Sequence, residues 1–399
     1  MVAGYLLKAQ CLSPWLEGHQ YGSLCYNDIQ PLYLDRGLES GQFPYVDGAI
    51  DGTELSGGAI EYPVLTGVFM WFVATFVSHD MNAYLIATAL ALAPFGLLAA
   101  YWLARMTGWR ALMWAAAPAV ILYSFHNWDL LVVAATVGGF WRWRRGDSLG
   151  AAIAFGIGGC LKMYPLMFLA PLVLEQLQRR RIADAVWTGL GGTATFALVN
   201  APFAYFNLEG WWATYQFHRL RVPNYDSIWF LKFPTWTPET VNLWSGALTV
   251  ATLAAVLSIG WMKGRRSGEF PVLEVSAAML AGFLLWNKVH SPQYTMWLLP
   301  FFVLLRVHYL WWALYSAIDI LVYIGVFRFF YALIKQTVPA EPARVAMMYG
   351  VYGRAVLLFA LIVVFIMSRR ADDEPYEEAE EVLSHPPPKV TPVGEQAPA

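Results

Sequence analysis

Long apolar stretches recur from residue 81 to residue 367, interrupted by short polar turns and by one longer loop over 206–240. A chain patterned in this way satisfies its backbone hydrogen bonds inside helices that cross lipid. The stretches predict an all-α membrane protein, a multi-span helical bundle. Its spans fall near 81–104, 111–125, 129–141, 149–162, 164–176, 183–203, 241–262, 272–287, 292–306, 309–330 and 344–367. Several are shorter than the ~20 residues of a straight crossing, so those helices are expected to run into their polar flanks or to form re-entrant pairs. With 58% of residues hydrophobic and only 14% charged, the chain lies outside the proportions of a soluble globular domain.

The basic residues repeat at alternate turns: Arg105 and Arg110; Arg142, Arg144 and Arg145; Arg179, Arg180 and Arg181; Lys263, Arg265 and Arg266; Arg306; Arg369 and Arg370. Lys and Arg accumulate in cytoplasmic loops, which puts all these turns on the inner side of the plasma (inner) membrane. Residues 1–80 and 206–240, with the turns at His126, Lys162 and 288–292, then face outward. A further apolar segment, 62–77, breaks the alternation if counted as a crossing. It reads as interfacial or re-entrant, the other reading being an ordinary span with a miscounted partner.

Three regions result: an outer loop with this segment over 1–80, a transmembrane bundle over 81–368, and a disordered, acidic, Pro-rich cytoplasmic tail over 369–399. An outward-facing start needs something to export it. Residues 1–12 are too short to span and lack the shape of a signal peptide, so a first helix is expected upstream of Met1, or these residues are its remnant. The acidic excess sits in the tail and gives no footprint for nucleic acid.

Ionisable and aromatic residues crowd the outward side. Asn27 and Asp28 lie in the first outer segment, Glu61 and Tyr62 close it, and Asn127, Asp129 and Lys162 sit at two turns. Arg219 and Arg221 belong to a long outer loop, and Lys288, His290, Gln293 and Tyr294 join two spans. Such a mixture suits sugar transfer from a phosphorylated lipid to a hydroxyl. A carboxylate removes the acceptor proton while fixed cations hold the departing phosphate. No His-Glu-x-x-His or paired Cys-x-x-Cys spacing marks a metal site, and neither a metal nor another cofactor is expected.

The order Asn27-Asp28, Gly41 to Tyr45, Glu61-Tyr62-Pro63, Asn127-Trp128-Asp129, Lys162-Met163-Tyr164-Pro165 and Ser291-Pro292-Gln293-Tyr294 resembles glycosyltransferase family 87 over residues 20–370. The resemblance implies a GT-C enzyme of the polyprenyl-phosphate-mannose-dependent kind. It also implies an inverting transfer at the outer face to a cell-envelope glycolipid or glycan. Asp28 matches the first-outer-loop general base of such enzymes. His290 falls near a late outer-loop histidine of some relatives, although Ser291-Pro292-Gln293-Tyr294 replaces the His-rich form of that loop.

On that reading Asp28 is catalytic, and Lys162, Arg219, Arg221, Lys288 and His290 hold donor phosphate. Asn27, Glu61, Tyr62, Asn127, Asp129, Gln293 and Tyr294 meet sugar or acceptor. The expected partners are a polyprenyl-phosphate sugar donor, a lipid-linked or glycan acceptor and membrane lipids. Each residue also has a plainer use: Asp28, Asn127 and Asp129 as helix caps or loop acids, Lys162 as a snorkelling cation, the arginines as contacts to anionic lipid. Arg354 lies within the last span and needs a partner. Cys11 and Cys25, both outward, are either bridged or free. The rival function is a polytopic transporter or lipid flippase, which would place its site near the midplane between repeated halves. No repeat is visible.

Overall fold

In the computed structural model, residues 1–13 and 15–371 are described, and the predicted acidic tail beyond Ala371 lies outside the described residues. The chain is an all-α, multi-span membrane protein. The segment before residue 81 holds short helices α1 (Val2–Ala9), α2 (His19–Gly22) and α3 (Ile29–Asp35), and a small hairpin pairs β1 (Ala49–Asp51) with β2 (Glu54–Ser56), Ile50 facing Leu55. Helix α4 (Val64–Ala74) follows. Eleven residues rise only about 16 Å, so this segment does not cross a bilayer by itself.

Helix α5 (Met81–Thr107) starts where the Asp80 side chain accepts the Asn82 N–H. The predicted span 111–125 is broken instead into α6 (Leu112–Ala115) and α7 (Pro118–Tyr123). Pro118 lacks an N–H to continue the first helix and suits the first turn of the second. Helices α8 (Asp129–Arg144), α9 (Ser148–Leu161), α10 (Leu169–Gln178) and α11 (Ile182–Phe206) then run back and forth. The chain continues with α12 (Leu208–Leu220), begun by Asn207 accepting from Gly210 N–H, and α13 (Ile228–Lys232). Long α14 (Pro238–Ser267) is followed by α15 (Val272–Trp286) and α16 (Thr295–Leu304), and the bundle ends with α17 (Tyr309–Lys335) and α18 (Glu341–Met367).

Among the described residues, five helices are long and apolar enough to cross a membrane: those within Met81–Ala115, Ile182–Phe206, Pro238–Ser267, Tyr309–Lys335 and Glu341–Met367. The other predicted spans form shorter helices. All ten residues of α16 are buried, so its apolar surface meets protein and not lipid. Helices α17 and α18 approach very closely, since a Cβ on Gly325 would lie 2.6 Å from the Met347 nitrogen.

The predicted sorting of charge has a geometric counterpart. Arg144 donates to the Met106 carbonyl, Arg110 to that of Leu305, and the Arg306 N–H to that of Arg369, while Lys263 reaches the Ser368 carbonyl. Arg179 and Arg370 both meet Glu269. The basic turns therefore gather at one end of the bundle. Asp129, at the start of α8, and Lys162, at the end of α9, mark the other end.

Cys11 and Cys25 are bonded, which ties the turn after α1 to the irregular segment leading into Asp28 and leaves Cys160 as the buried free thiol. Thiol counting under denaturing conditions is expected to find one reactive cysteine before reduction and three after. The double variant Cys11→Ser/Cys25→Ser is expected to melt several degrees lower, in keeping with a stabilisation of roughly 3 kcal/mol for a loop of this length.

Candidate active site

The Asp28 side chain is not used to cap the helix that it precedes. Asn27 Oδ1 accepts the Gln30 N–H at 3.0 Å, and Asn27 Nδ2 donates to Gln30 Oε1 at 2.8 Å, so Asn27 satisfies the first turn of α3. The Asp28 side chain makes no capping bond, and its backbone N–H donates to the His126 carbonyl at 2.7 Å. The carboxylate then faces a cavity of about 680 Å³, where the Tyr62 hydroxyl stands 3.5 Å from Oδ2. Burial raises its pKa to about 6 against the lowering influence of Tyr26 and Lys162.

Lys162 enters from the C-terminus of α9. Its ammonium pairs with Asp129 Oδ1 at 2.6 Å, and the same carboxylate accepts the Trp297 indole N–H at 2.9 Å. The ammonium also sits 5.2 to 5.3 Å from the ring centres of Tyr62, Tyr294 and Trp297. A cation held between three rings and one carboxylate keeps its position without filling its surroundings, and one side of it remains open to the cavity.

Two more cations line the same space. Lys288 donates to the carbonyls of Arg219 at 3.1 Å and Arg221 at 2.7 Å, and burial together with Arg221 lowers its pKa to about 8. Arg221 lies over the Phe217 ring and donates to Asn224 Oδ1 at 2.7 Å. At the cavity rim His218 Nε2–H donates to the Glu61 carbonyl at 2.8 Å, and desolvation of the ring together with Arg221 lowers its pKa to about 4. That shift makes it a neutral donor to the carbonyl at pH 7.

The structure thus brings Asp28, Glu61, Tyr62, Lys162, Arg221, Lys288, Gln293 and Tyr294 to one cavity and leaves five predicted residues out of its lining. Arg219 offers its carbonyl to Lys288 while its side chain is exposed, because it leaves the last turn of α12 two residues before Arg221. His290 is buried behind the wall, its ring 6.2 Å from that of Tyr294 and its carbonyl receiving Arg354. Asn27 works on α3, as described. Asn127 Oδ1 accepts the Asp129 N–H, and Asp129 stands behind Lys162. Within the lining, Glu61 is already engaged by Arg36 through two bonds of 2.7 and 3.1 Å.

Several contributors escaped the sequence reading. Lys8 is fully buried behind Asp28, donating to the Tyr26 carbonyl and the Tyr323 hydroxyl and lying 3.3 Å from His126 Nδ1. Burial lowers its pKa to about 7. A lone Lys in the apolar run of α1 was the available signal. Tyr26, Tyr164 and Trp297 line the cavity as well, with no pattern that separates them from the many other aromatics. Among the described residues, no group of three or more His, Cys, Asp and Glu side chains is arranged to hold a metal ion.

Residues 61–292, more than half of the chain, match the sequence profile of glycosyltransferase family 87. No curated protein matches the chain. The matched stretch includes Glu61, Lys162, Arg221 and Lys288, while Asp28 precedes it.

Removing one partner of a buried pair strands the other charge. Asp129→Ala is expected to destabilise the protein by about 3 to 5 kcal/mol, whereas Asp129→Ala/Lys162→Met recovers much of the loss. Thermal melts of the purified variants give the comparison.

Proposed function

Because the chain belongs to glycosyltransferase family 87, and is a membrane glycosyltransferase, we propose that it moves mannose from a polyprenyl-phosphate donor to a hydroxyl of a cell-envelope glycolipid or glycan. Transfer takes place in the outward-facing cavity, at the extracytoplasmic side of the plasma membrane. Arabinose is the other sugar that such a donor would offer. The observation that carries this reading is the Asp28 carboxylate, unengaged by an ion pair, together with three cations, Lys162, Arg221 and Lys288, on the walls of a single cavity at the end of the bundle away from the basic turns.

Asp28 takes the proton of the acceptor hydroxyl as that oxygen attacks the anomeric carbon. The new carbon–oxygen bond forms on the face opposite the phosphate, so the configuration inverts. The bond from the anomeric carbon to the phosphate oxygen breaks, and its electron pair leaves with polyprenyl phosphate. Lys162, Arg221 and Lys288 meet the charge that grows on the departing phosphate. A base with a pKa near 6 is ionised at neutral pH yet basic enough to assist, which is the compromise that general-base catalysis favours.

Asp28→Asn is expected to leave the protein folded and able to bind donor while lowering transfer by a factor of about 10² to 10⁴. The assay incubates purified protein with labelled polyprenyl-phosphate sugars and envelope lipid extract and follows the product that gains label. Undiminished turnover by this variant removes Asp28 from the mechanism. The pH profile of kcat/KM gives a separate check. Activity that needs the deprotonated acid is full above its pKa and is lost as pH falls through it, so the acid limb should break near 6 and turnover at pH 5 should be roughly tenfold below the plateau. An acid limb near 4 in the wild type contradicts the assignment.

A further inference from the structure

Helix α1 lies tightly against α7, for a Cβ on Gly4 would stand 3.1 Å from the Ile121 carbonyl oxygen. Lys8 follows one turn later on the same face of α1, and the close approach carries it to the turn after α7, where His126 lies. There the Lys8 ammonium is fully enclosed, and Lys8 does not line the cavity. Its partners are the Tyr26 carbonyl at 2.7 Å, the Tyr323 hydroxyl at 3.1 Å and His126 Nδ1 at 3.3 Å. Each of the three leads to the segment before α3. The Tyr26 carbonyl belongs to it, the Tyr323 hydroxyl donates to the Leu24 carbonyl, and the His126 carbonyl accepts the Asp28 N–H at 2.7 Å. Every second residue from Leu24 to Asp28 is thus fastened to one ammonium or to a side chain or residue bonded to it.

We propose that Lys8 is a positioning residue for the transfer: it holds the segment Leu24 to Asp28 so that the Asp28 carboxylate is aimed into the cavity, and it touches neither donor nor acceptor. The inference rests on the proposed role of Asp28 and adds a residue to it. Three directed donors on one ammonium join α1, the turn at His126 and α17 at a single point, which an apolar side chain of the same length cannot do. The Tyr26 side chain passes this order on, because it interacts directly with the Asp28 carboxylate. Its ring is walled by those of Tyr21, His126 and Phe327, with centres 5.3, 5.6 and 5.6 Å away. A buried ammonium costs stability, so packing alone does not account for it. Aim does, since a misplacement of about 1 Å at a reacting group lowers rates by about 10².

The test compares full-length Lys8→Met and Lys8→Gln with wild type in the labelled-sugar transfer assay, each substitution made alone and on the Asp28→Asn background. Lys8→Met should lower kcat by about 10² and move the donor and acceptor KM by less than about twofold. Lys8→Gln, whose amide keeps two of the donors, should lose about tenfold in kcat. On the Asp28→Asn background either change should cost less than about twofold, because a residue that acts through the base then has nothing left to aim. Equal losses on both backgrounds, a rise in KM in place of the fall in kcat, or wild-type kcat in both variants overturns the inference. Should Lys8→Met not fold, Lys8→Gln carries the same comparison. The structure of whichever variant folds, solved in lipid nanodiscs, needs no turnover: an Asp28 carboxylate turned away from Tyr26 and Tyr62 supports the role, and an unmoved carboxylate contradicts it. A displaced carboxylate in the variant, in a protein whose wild type transfers no sugar from any polyprenyl-phosphate donor, would sink the proposed function and leave the positioning of Asp28 by Lys8 standing.

Discussion

The buried pair between Lys162 and Asp129 is the contact on which the arrangement of the cavity depends. It joins the end of one helix to the start of another, and Trp297 from α16 completes it by donating to the same carboxylate. A pair this deep contributes little net stability, because both charges have left water, but it fixes one geometry at the expense of others. Here the fixed geometry places an ammonium between Tyr62, Tyr294 and Trp297. Tyr62 in turn stands next to Asp28, so the Lys162 ammonium and the Asp28 carboxylate share a single ring as neighbour.

Cations also hold the backbone of the loops around the cavity. Arg354, 1% exposed within α18, donates to the carbonyls of Asp226 at 2.7 Å and His290 at 3.2 Å. Lys288 clasps the carbonyls at the end of α12, and the Asn224 N–H returns a bond to the Lys288 carbonyl. The two loops that supply Arg221 and Lys288 are thereby stitched together before any substrate enters. A site whose charges are already in place need not reorganise as charge develops during the proposed transfer, which is where electrostatic catalysis gains most.

The apolar periodicity of the sequence announces the bundle well because lipid and helix backbone leave few alternatives. Segment 241–262 is observed as Pro238–Ser267 and segment 344–367 as Glu341–Met367. Failure came where local chemistry overrode hydropathy, as at Pro118, or where an apolar segment was wrapped by protein, as in α16. The site was legible in part for a similar reason. Residues set between apolar runs, such as Lys162 and Lys288, announce themselves by being expensive there. Which of them share a cavity depends on contacts far apart in the chain, and nothing local tells Arg219 from Arg221 or links Arg354 to Asp226, 128 positions away. The Cys11–Cys25 bond was one of two open alternatives, and the closing acidic stretch lies outside the described residues.

The most direct measurement of the central claim is the structure of the protein bound to a non-transferable prenyl phosphonate sugar, solved in lipid nanodiscs. The account predicts the phosphonate within ion-pairing distance of Lys162 and Arg221, with the anomeric carbon turned towards Asp28. A phosphonate bound at the opposite end of the bundle, among Arg179, Arg370 and Glu269, or bound with its sugar facing away from Asp28, would contradict it.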